Sequence, residues 1–178
     1  SPDLRERMQV LLSRVVQDKK VCAIVLEISS PGGEVIATDE VYSVVRSASK
    51  VKPVVAYIRN VGASGGYYIA CAADLIVAHE MAVVGSIGVI MQSFTIGGLL
   101  QKLGVESATF TSGKFKDMGS MFRPMSDEER AYLQSRIDTV YQKFLGIVRE
   151  RRPIDSATLS QIADGRVFLG QEALDDKL

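Results

Sequence analysis

Twice in the first half of the chain, an apolar β-branched run ends in a small-residue turn and gives way to helical spacing. That repeat restricts the possible fold more than any other feature. Val21 to Ile28 is almost unbroken in apolar character, the pattern of a strand covered on both faces of a parallel sheet. Ser29-Ser30-Pro31-Gly32-Gly33 ends it, and Val35, Val41, Val44 and Val45 then mark a helix from Glu34 to Ser49. Pro53 to Ile58 reads as a second strand, and Ser64 to Ala73 returns to helical spacing. Strand, turn, helix, strand is a βαβ unit, which predicts an α/β domain.

The remaining segments extend the pattern. Ser1-Pro2-Asp3 caps an amphipathic helix with Leu4, Met8, Leu11, Leu12, Val15 and Val16 on one face. Leu75 to Ala78 is a short strand, and Gly85 to Ile90 is a turn leading into another. Gly97 to Leu103 forms a short helix stopped by Gly104, and Val105 to Phe110 alternates like a strand. Thr111 to Met125 has no sustained period, two glycines and a proline; a loop of that length usually carries function. Ser126-Asp127-Glu128-Glu129 is a capping box that opens a long helix to about Arg151, with Leu133, Ile137, Val140, Tyr141, Phe144 and Val148 facing inward. Asp155 caps a last short helix ending at Gly165, and Val167-Phe168-Leu169 leads into Gln171 to Leu174. No repeat or low-complexity linker interrupts the 178 residues, so a single domain is expected.

Twenty-one basic and twenty-one acidic residues cancel, so charge gives no reason to expect nucleic acid as a partner. No apolar run reaches the roughly 20 residues that cross a bilayer, and no signal peptide is present. The chain begins directly in a helix and stops at Asp175-Asp176-Lys177-Leu178, which reads as part of something longer. Cys22, in a strand pattern, and Cys71, in a helix pattern, are expected to be small core residues rather than a disulfide or metal pair.

Val61-Gly62-Ala63-Ser64-Gly65-Gly66 places one serine at the handover from strand to helix, beside unsatisfied backbone donors. Ser64 is the best nucleophile candidate; the plainer alternative is an N-cap serine in a tight turn. A nucleophilic serine needs a base. His79 is the only histidine and sits at a strand end. The other choice is lysine, whose pKa of about 10.4 must fall by about three units, at a cost of about 4 kcal/mol, through burial away from carboxylates. Lys114 and Lys116 both lie in the long loop, and physical argument alone does not choose between them. Ser86, in a glycine-rich turn, can accept from a lysine amine or simply satisfy its turn. Gly32, Gly33 and Gly65 can each present a bare N–H, and two such donors on one oxygen make an oxyanion hole.

Taken together, these stretches resemble the catalytic domain of the signal peptide peptidase A (SppA) family, membrane-associated bacterial and archaeal serine peptidases with a Ser/Lys dyad. The resemblance rests on Ser30-Pro31-Gly32-Gly33, Gly62 to Tyr68, Gly85-Ser86-Ile87-Gly88-Val89, Ser112-Gly113-Lys114-Phe115-Lys116-Asp117, and Gly165-Arg166-Val167-Phe168 before Gly170. Each alone is a weak signal; the five in this order are specific.

The resemblance implies Ser64 as nucleophile and, by the Ser-Gly-two residues-Lys-Asp pattern, Lys116 as general base. It also implies Ser86 as the residue positioning the lysine amine, with Gly33 and Gly65 as oxyanion donors. It implies a crotonase-like and Clp-protease-like α/β spiral, no metal or cofactor, cleaved signal peptides or other short apolar peptides as substrates, and a ring- or dome-shaped homo-oligomer. An N-terminal segment absent from this chain would anchor it at the cytoplasmic membrane of a bacterium or archaeon, with the catalytic domain outside the cytoplasm. Asp117 is a difficulty, because a carboxylate facing Lys116 raises its pKa; its side chain is therefore expected to turn away. Two rivals make different demands: an acyl-CoA hydratase or isomerase needs a carboxylate near Gly65, and a Clp-like peptidase needs His79. A third is a non-catalytic scaffold of the same fold.

Overall fold

The computed structural model describes residues 4–178, so the cap expected at Ser1-Pro2-Asp3 lies outside the described residues. The chain divides into two compact units: the residues up to Gly88 together with Tyr141–Leu178, and Val89–Val140.

The first unit is built on a mixed sheet. β1 (Ile24–Ser30), β2 (Val54–Ala63), β3 (Leu75–Ala78) and β4 (Val83–Gly85) run parallel, while β5 (Val167–Leu169) pairs antiparallel with β4. The order is β1-β2-β4-β5, with β3 also on β2. β2 is long enough to serve two partners: Val55 to Ile58 pair with β3, and Val61 to Ala63 pair with β4. The change of partner delivers the carboxyl end of β2, with Ser64 just beyond it, to the edge where parallel sheets of α/β proteins place their ligands.

α3 (Gly65–Ala70) packs on β1 and β2, α2 (Val35–Ser49) packs on α3, and α1 (Leu4–Gln17) packs on α2. Of the face expected on α1, Met8, Leu12, Val15 and Val16 pack inward, while Leu4 and Leu11 are exposed. Val41, Val45 and Ala48 of α2 meet Ile24, Ile28, Val54, Ala56 and Ile58 in one core, to which the end of α5 (Asp127–Arg151) adds Phe144, Leu145, Ile147 and Val148. Tyr68 links these layers. Its ring packs on Tyr42 and Phe144 at 5.2 and 5.0 Å, and its hydroxyl donates to Asp39, which Lys143 also holds. α6 (Ser156–Ile162) begins at Asp155, whose carboxylate accepts from the N–H groups of Ala157 and Thr158 as its sequence position predicts. α7 (Gly170–Asp175) follows β5 directly.

The apolar run at Val21 to Ile28 is not covered on both faces. β1 starts at Ile24 and alternates: Ile24 and Ile28 are buried, whereas Val25 is 70% exposed and Glu27 points outward, in an ion pair with Arg59. Cys22 consequently falls before the strand and is exposed, contrary to the expectation of two core cysteines; Cys71 is fully buried.

The second unit contains α4 (Gly97–Lys102), a series of turns, and α5 up to Val140. Val105 to Phe110 and the segment after Ser86 are not strands. A strand needs a neighbour for its backbone groups, none of the described residues provides one here, and Phe110 is 96% exposed. The capping box at the start of α5 forms as predicted, with Ser126 N–H on Glu129 Oε2 at 2.8 Å and Glu129 N–H on Ser126 Oγ at 3.2 Å.

Candidate active site

Ser64 sits in the turn from β2 to α3 with φ 50° and ψ −119°. A non-glycine residue at positive φ is strained by about 1–3 kcal/mol and persists only where its surroundings force it. The forcing bonds are visible: Ser64 N–H donates to Gly85 O at 2.8 Å, and Tyr68 N–H donates to Ser64 O at 2.9 Å. Ser64 holds the N-cap position of α3, as the plainer reading has it, but its side chain makes no cap hydrogen bond. Ser64 is half-buried between Ala63 and Gly65, both buried. A strained sharp turn that presents an unengaged serine hydroxyl is the geometry of a nucleophile elbow.

The Gly32-Gly33 turn lies against this serine. Gly32 has φ +113°, and a Cβ there would stand 2.9 Å from Gly65 N and 3.1 Å from Ser64 Oγ. Ser30 Oγ accepts from Gly32 N–H at 3.2 Å, which fixes the turn. A Cβ on Gly65 would in turn come within 3.2 Å of Gly33 N and 2.6 Å of Thr38 Oγ1. As the first residue of α3, Gly65 has an N–H with no intrahelical acceptor. The N–H of Gly33 likewise donates to no acceptor among the described residues. Two bare amides thus stand beside one free hydroxyl, the arrangement an oxyanion hole requires.

Ser86 belongs to the same neighbourhood. It also has positive φ, 51°, and follows Gly85, whose carbonyl receives Ser64 N–H. Ser86 N–H donates to Arg166 O at 2.8 Å, and β4 pairs with β5 there, so Gly85-Ser86 and Arg166-Val167-Phe168 are joined by backbone bonds.

The two rivals find no support in this geometry. His79 accepts from Met81 N–H through its ring Nδ1 and donates its own N–H to Ile58 O, beside the middle of β2. Ser64 lies six residues further on, roughly 15–20 Å along a strand, so His79 cannot serve it. The side chain packed at Gly65 is the neutral Thr38 rather than a carboxylate, and the adjacent Asp39 is engaged by Tyr68 and Lys143.

The lysine candidates both lie in the second unit. Lys114 is ion-paired with Glu128 and lies over the Phe115 ring. Lys116 is exposed and has no ion pair among the described residues; its N–H donates to Gly113 O at 3.0 Å. A lysine paired with a carboxylate is a poor base, which bears against Lys114. Asp117 turns to Arg123, as expected from the sequence: Nε and Nη2 of the arginine each bond one carboxylate oxygen at 2.8 Å. That fork holds the Asp117 carboxyl below its ordinary value. Arg123 also bonds Glu129, which is 3% exposed, and this contact foremost holds the Glu129 carboxyl at about 2. Sequence reasoning missed Thr38 beside Gly65 and Arg123 beside Asp117, which stand in no motif; their placement appears only once the chain is folded.

The structure therefore brings Ser64, Gly65, Gly33 and Ser86 together in the first unit and places Lys116 on an ordered turn of the second. A half-buried serine on a strand-to-helix elbow beside two bare amides is carried here by a crotonase-like α/β sheet. An enoyl-CoA hydratase/isomerase family member shares the fold at a TM-score of 0.53, over 98% of this chain and 57% of that one, with 18% sequence identity. The sequence profile of peptidase family S49 matches residues 46–178, and the chain belongs to that family. Its relatives include a protein named as a protease in Methanocaldococcus jannaschii, 42% identical over 92% of this chain and 52% of the relative. A protein named as signal peptide peptidase SppA in Enterococcus faecium is 37% identical over 94% of this chain and 49% of the relative. The chloroplastic serine protease SPPA of Arabidopsis thaliana is 33% identical over 96% of this chain and 25% of the relative. The chain thus spans about half the length, or less, of these curated relatives.

Proposed function

We propose that this chain is the catalytic domain of a serine endopeptidase in which Ser64 is the nucleophile and Lys116 the general base. The observation that carries the reading is Ser64 at φ 50° with an unengaged hydroxyl beside the bare amides of Gly33 and Gly65. In the first step Oγ attacks a peptide carbonyl carbon while its proton passes to the neutral Lys116 amine. The carbonyl oxygen becomes an oxyanion that the Gly33 and Gly65 N–H groups stabilise, each donor contributing about 3–4 kcal/mol. Collapse expels the amine, which takes the proton back from Lys116 and leaves an ester on Ser64. Water, deprotonated by the same lysine, hydrolyses that ester and restores the hydroxyl. Ser86 keeps the amine oriented.

This chemistry needs a lysine that is neutral near pH 7, hence one removed from water and carboxylates. Lys116 meets the second condition already and is exposed in the single chain, so we propose that homo-oligomer assembly, a ring or dome, encloses it. The serine it serves belongs to its own subunit or to a neighbour. The substrates in this reading are cleaved signal peptides or other short apolar peptides, as the name of the Enterococcus relative suggests. No helix among the described residues is long and apolar enough to cross a membrane; anchoring at the cytoplasmic membrane, with the catalytic domain outside the cytoplasm, is assigned to a segment beyond this chain. A fluorophosphonate probe tests the core of the proposal: it labels Ser64 in the parent and leaves Ser64→Ala unlabelled. Equal labelling of both would refute it.

A further inference from the structure

We infer that Arg123 is a positioning residue for Lys116: it takes up the neighbouring Asp117 carboxylate and fastens the lysine-bearing turn to the first turn of α5. The inference rests on the proposed role of Lys116 as base.

An arginine carries five N–H donors, and here every one is used. Nε and Nη2 grip Asp117 at 2.8 Å each, Nη1 and Nη2 grip Glu129 at 2.9 and 2.6 Å, and Nη1 also donates to Pro124 O at 3.1 Å. Glu129 is a fixed anchor, buried and tied to Ser126 N–H by the capping box. The turn around Lys116 is thereby held on both sides. Before it, Phe115 stacks on Tyr132 at 5.4 Å and Lys114 pairs with Glu128; after it, Asp117 is clamped, and Ser120 N–H donates to Asp117 O at 3.0 Å.

The clamp also sets the charge around the lysine. The loop contributes Lys114, Asp117 and Arg123, and the first turns of α5 contribute Asp127, Glu128, Glu129 and Arg130, with Arg136 over the Tyr132 ring. Glu128 is occupied by Lys114 and Glu129 by Arg123, while Asp127 and Arg130 are exposed on the helix. Asp117, adjacent in the chain, is the carboxylate best able to swing onto Lys116 if released. A carboxylate within about 4–6 Å favours the ammonium form and raises a lysine pKa by about 1–3, the wrong direction for a base.

The test is the pH profile of kcat/KM in the full-length assembled protein, measured with an internally quenched apolar peptide. The pH profile of Ser64 labelling by fluorophosphonate serves as a second readout. Arg123→Gln moves the acid limb up by about one pH unit, a tenfold loss at pH values below it. Adding Asp117→Asn to Arg123→Gln returns the limb to its parent position. Arg123→Lys, which keeps a cation without the fork, gives a part of the shift and covers the case in which Arg123→Gln does not fold. A purely structural arginine predicts lower activity at every pH, an unmoved limb and no rescue by Asp117→Asn; that result overturns the inference. Lys116→Ala measured alongside separates the two claims. Near-parent turnover there defeats the dyad and this inference together. An inactive Lys116→Ala with an unmoved limb in Arg123→Gln defeats the inference alone.

Discussion

The backbone N–H of Ser64 donates to the carbonyl of Gly85 at 2.8 Å, and through this bond the β2–β4 pairing continues one residue past the end of the strand. It holds Ser64 at φ 50°, a conformation glycine adopts at little cost and serine does not. In the proposed reading, strain at that position presents the nucleophilic hydroxyl.

Ser64→Gly is therefore expected to abolish peptide hydrolysis while raising stability by about 1 kcal/mol, because it relieves the strained φ. Ser64→Ala loses the activity without that gain. Thermal unfolding of the two variants beside the parent checks this; a Ser64→Gly protein less stable than Ser64→Ala contradicts it.

Gly32 and Gly33 are adjacent and are expected to respond in opposite ways. Gly32 has φ +113° and no room for a Cβ against Ser64 and Gly65, so Gly32→Ala should displace the turn and cost about a hundredfold or more in kcat. A Cβ on Gly33 meets nothing within 4 Å, and the substitution leaves its N–H in place, so Gly33→Ala should stay within about threefold of the parent. Steady-state kinetics of the two variants decide the matter.

The two thiols differ in the same predictable way. Cys22 is exposed, whereas Cys71 is fully buried and burial pushes its thiol up to about 12. A chromogenic disulfide reagent at about pH 8 should titrate one thiol in the folded protein and two after denaturation. Cys22→Ser should reduce the native count to zero.

The carboxylates gripped by Arg123 predict an acid dependence of stability. Glu129 is held at about 2 against an ordinary 4.5, and Asp117 is lowered as well. Below about pH 4.5 the unfolded chain binds protons that the folded chain does not, so the folded state is penalised there. The stabilisation is complete above about pH 5, declines as pH falls and is gone below about 2. Melting temperatures should fall from pH 5 to pH 3, and less steeply in Glu129→Gln. Equal slopes would show that the clamp does not couple to folding.

Much of this was legible before folding because it is local. The Ser126 to Glu129 capping box, the Asp155 cap, the glycine turn before α2 and the small residues around Ser64 are written within a few positions of each other. The burial of β1 was not, because an apolar run does not say whether a second layer exists to cover Val25. Val105 to Phe110 failed as a strand for the same reason: alternation describes one segment, while a strand requires two. The choice of Lys116 over Lys114 came from the family pattern; the Lys114–Glu128 pair, which bears against Lys114, joins residues fourteen apart. Arg123 was invisible for a related reason, since its partners lie six residues to either side and meet only because α5 begins where it does.

Whether the amine of Lys116 activates the hydroxyl of Ser64, as proposed, is decided by peptide hydrolysis with Lys116→Ala, with assembly size determined on the same sample. The expected result is a fall in kcat of about a thousandfold or more, as deep as that of Ser64→Ala, with the assembly intact. Turnover by Lys116→Ala within a few-fold of the parent would contradict it.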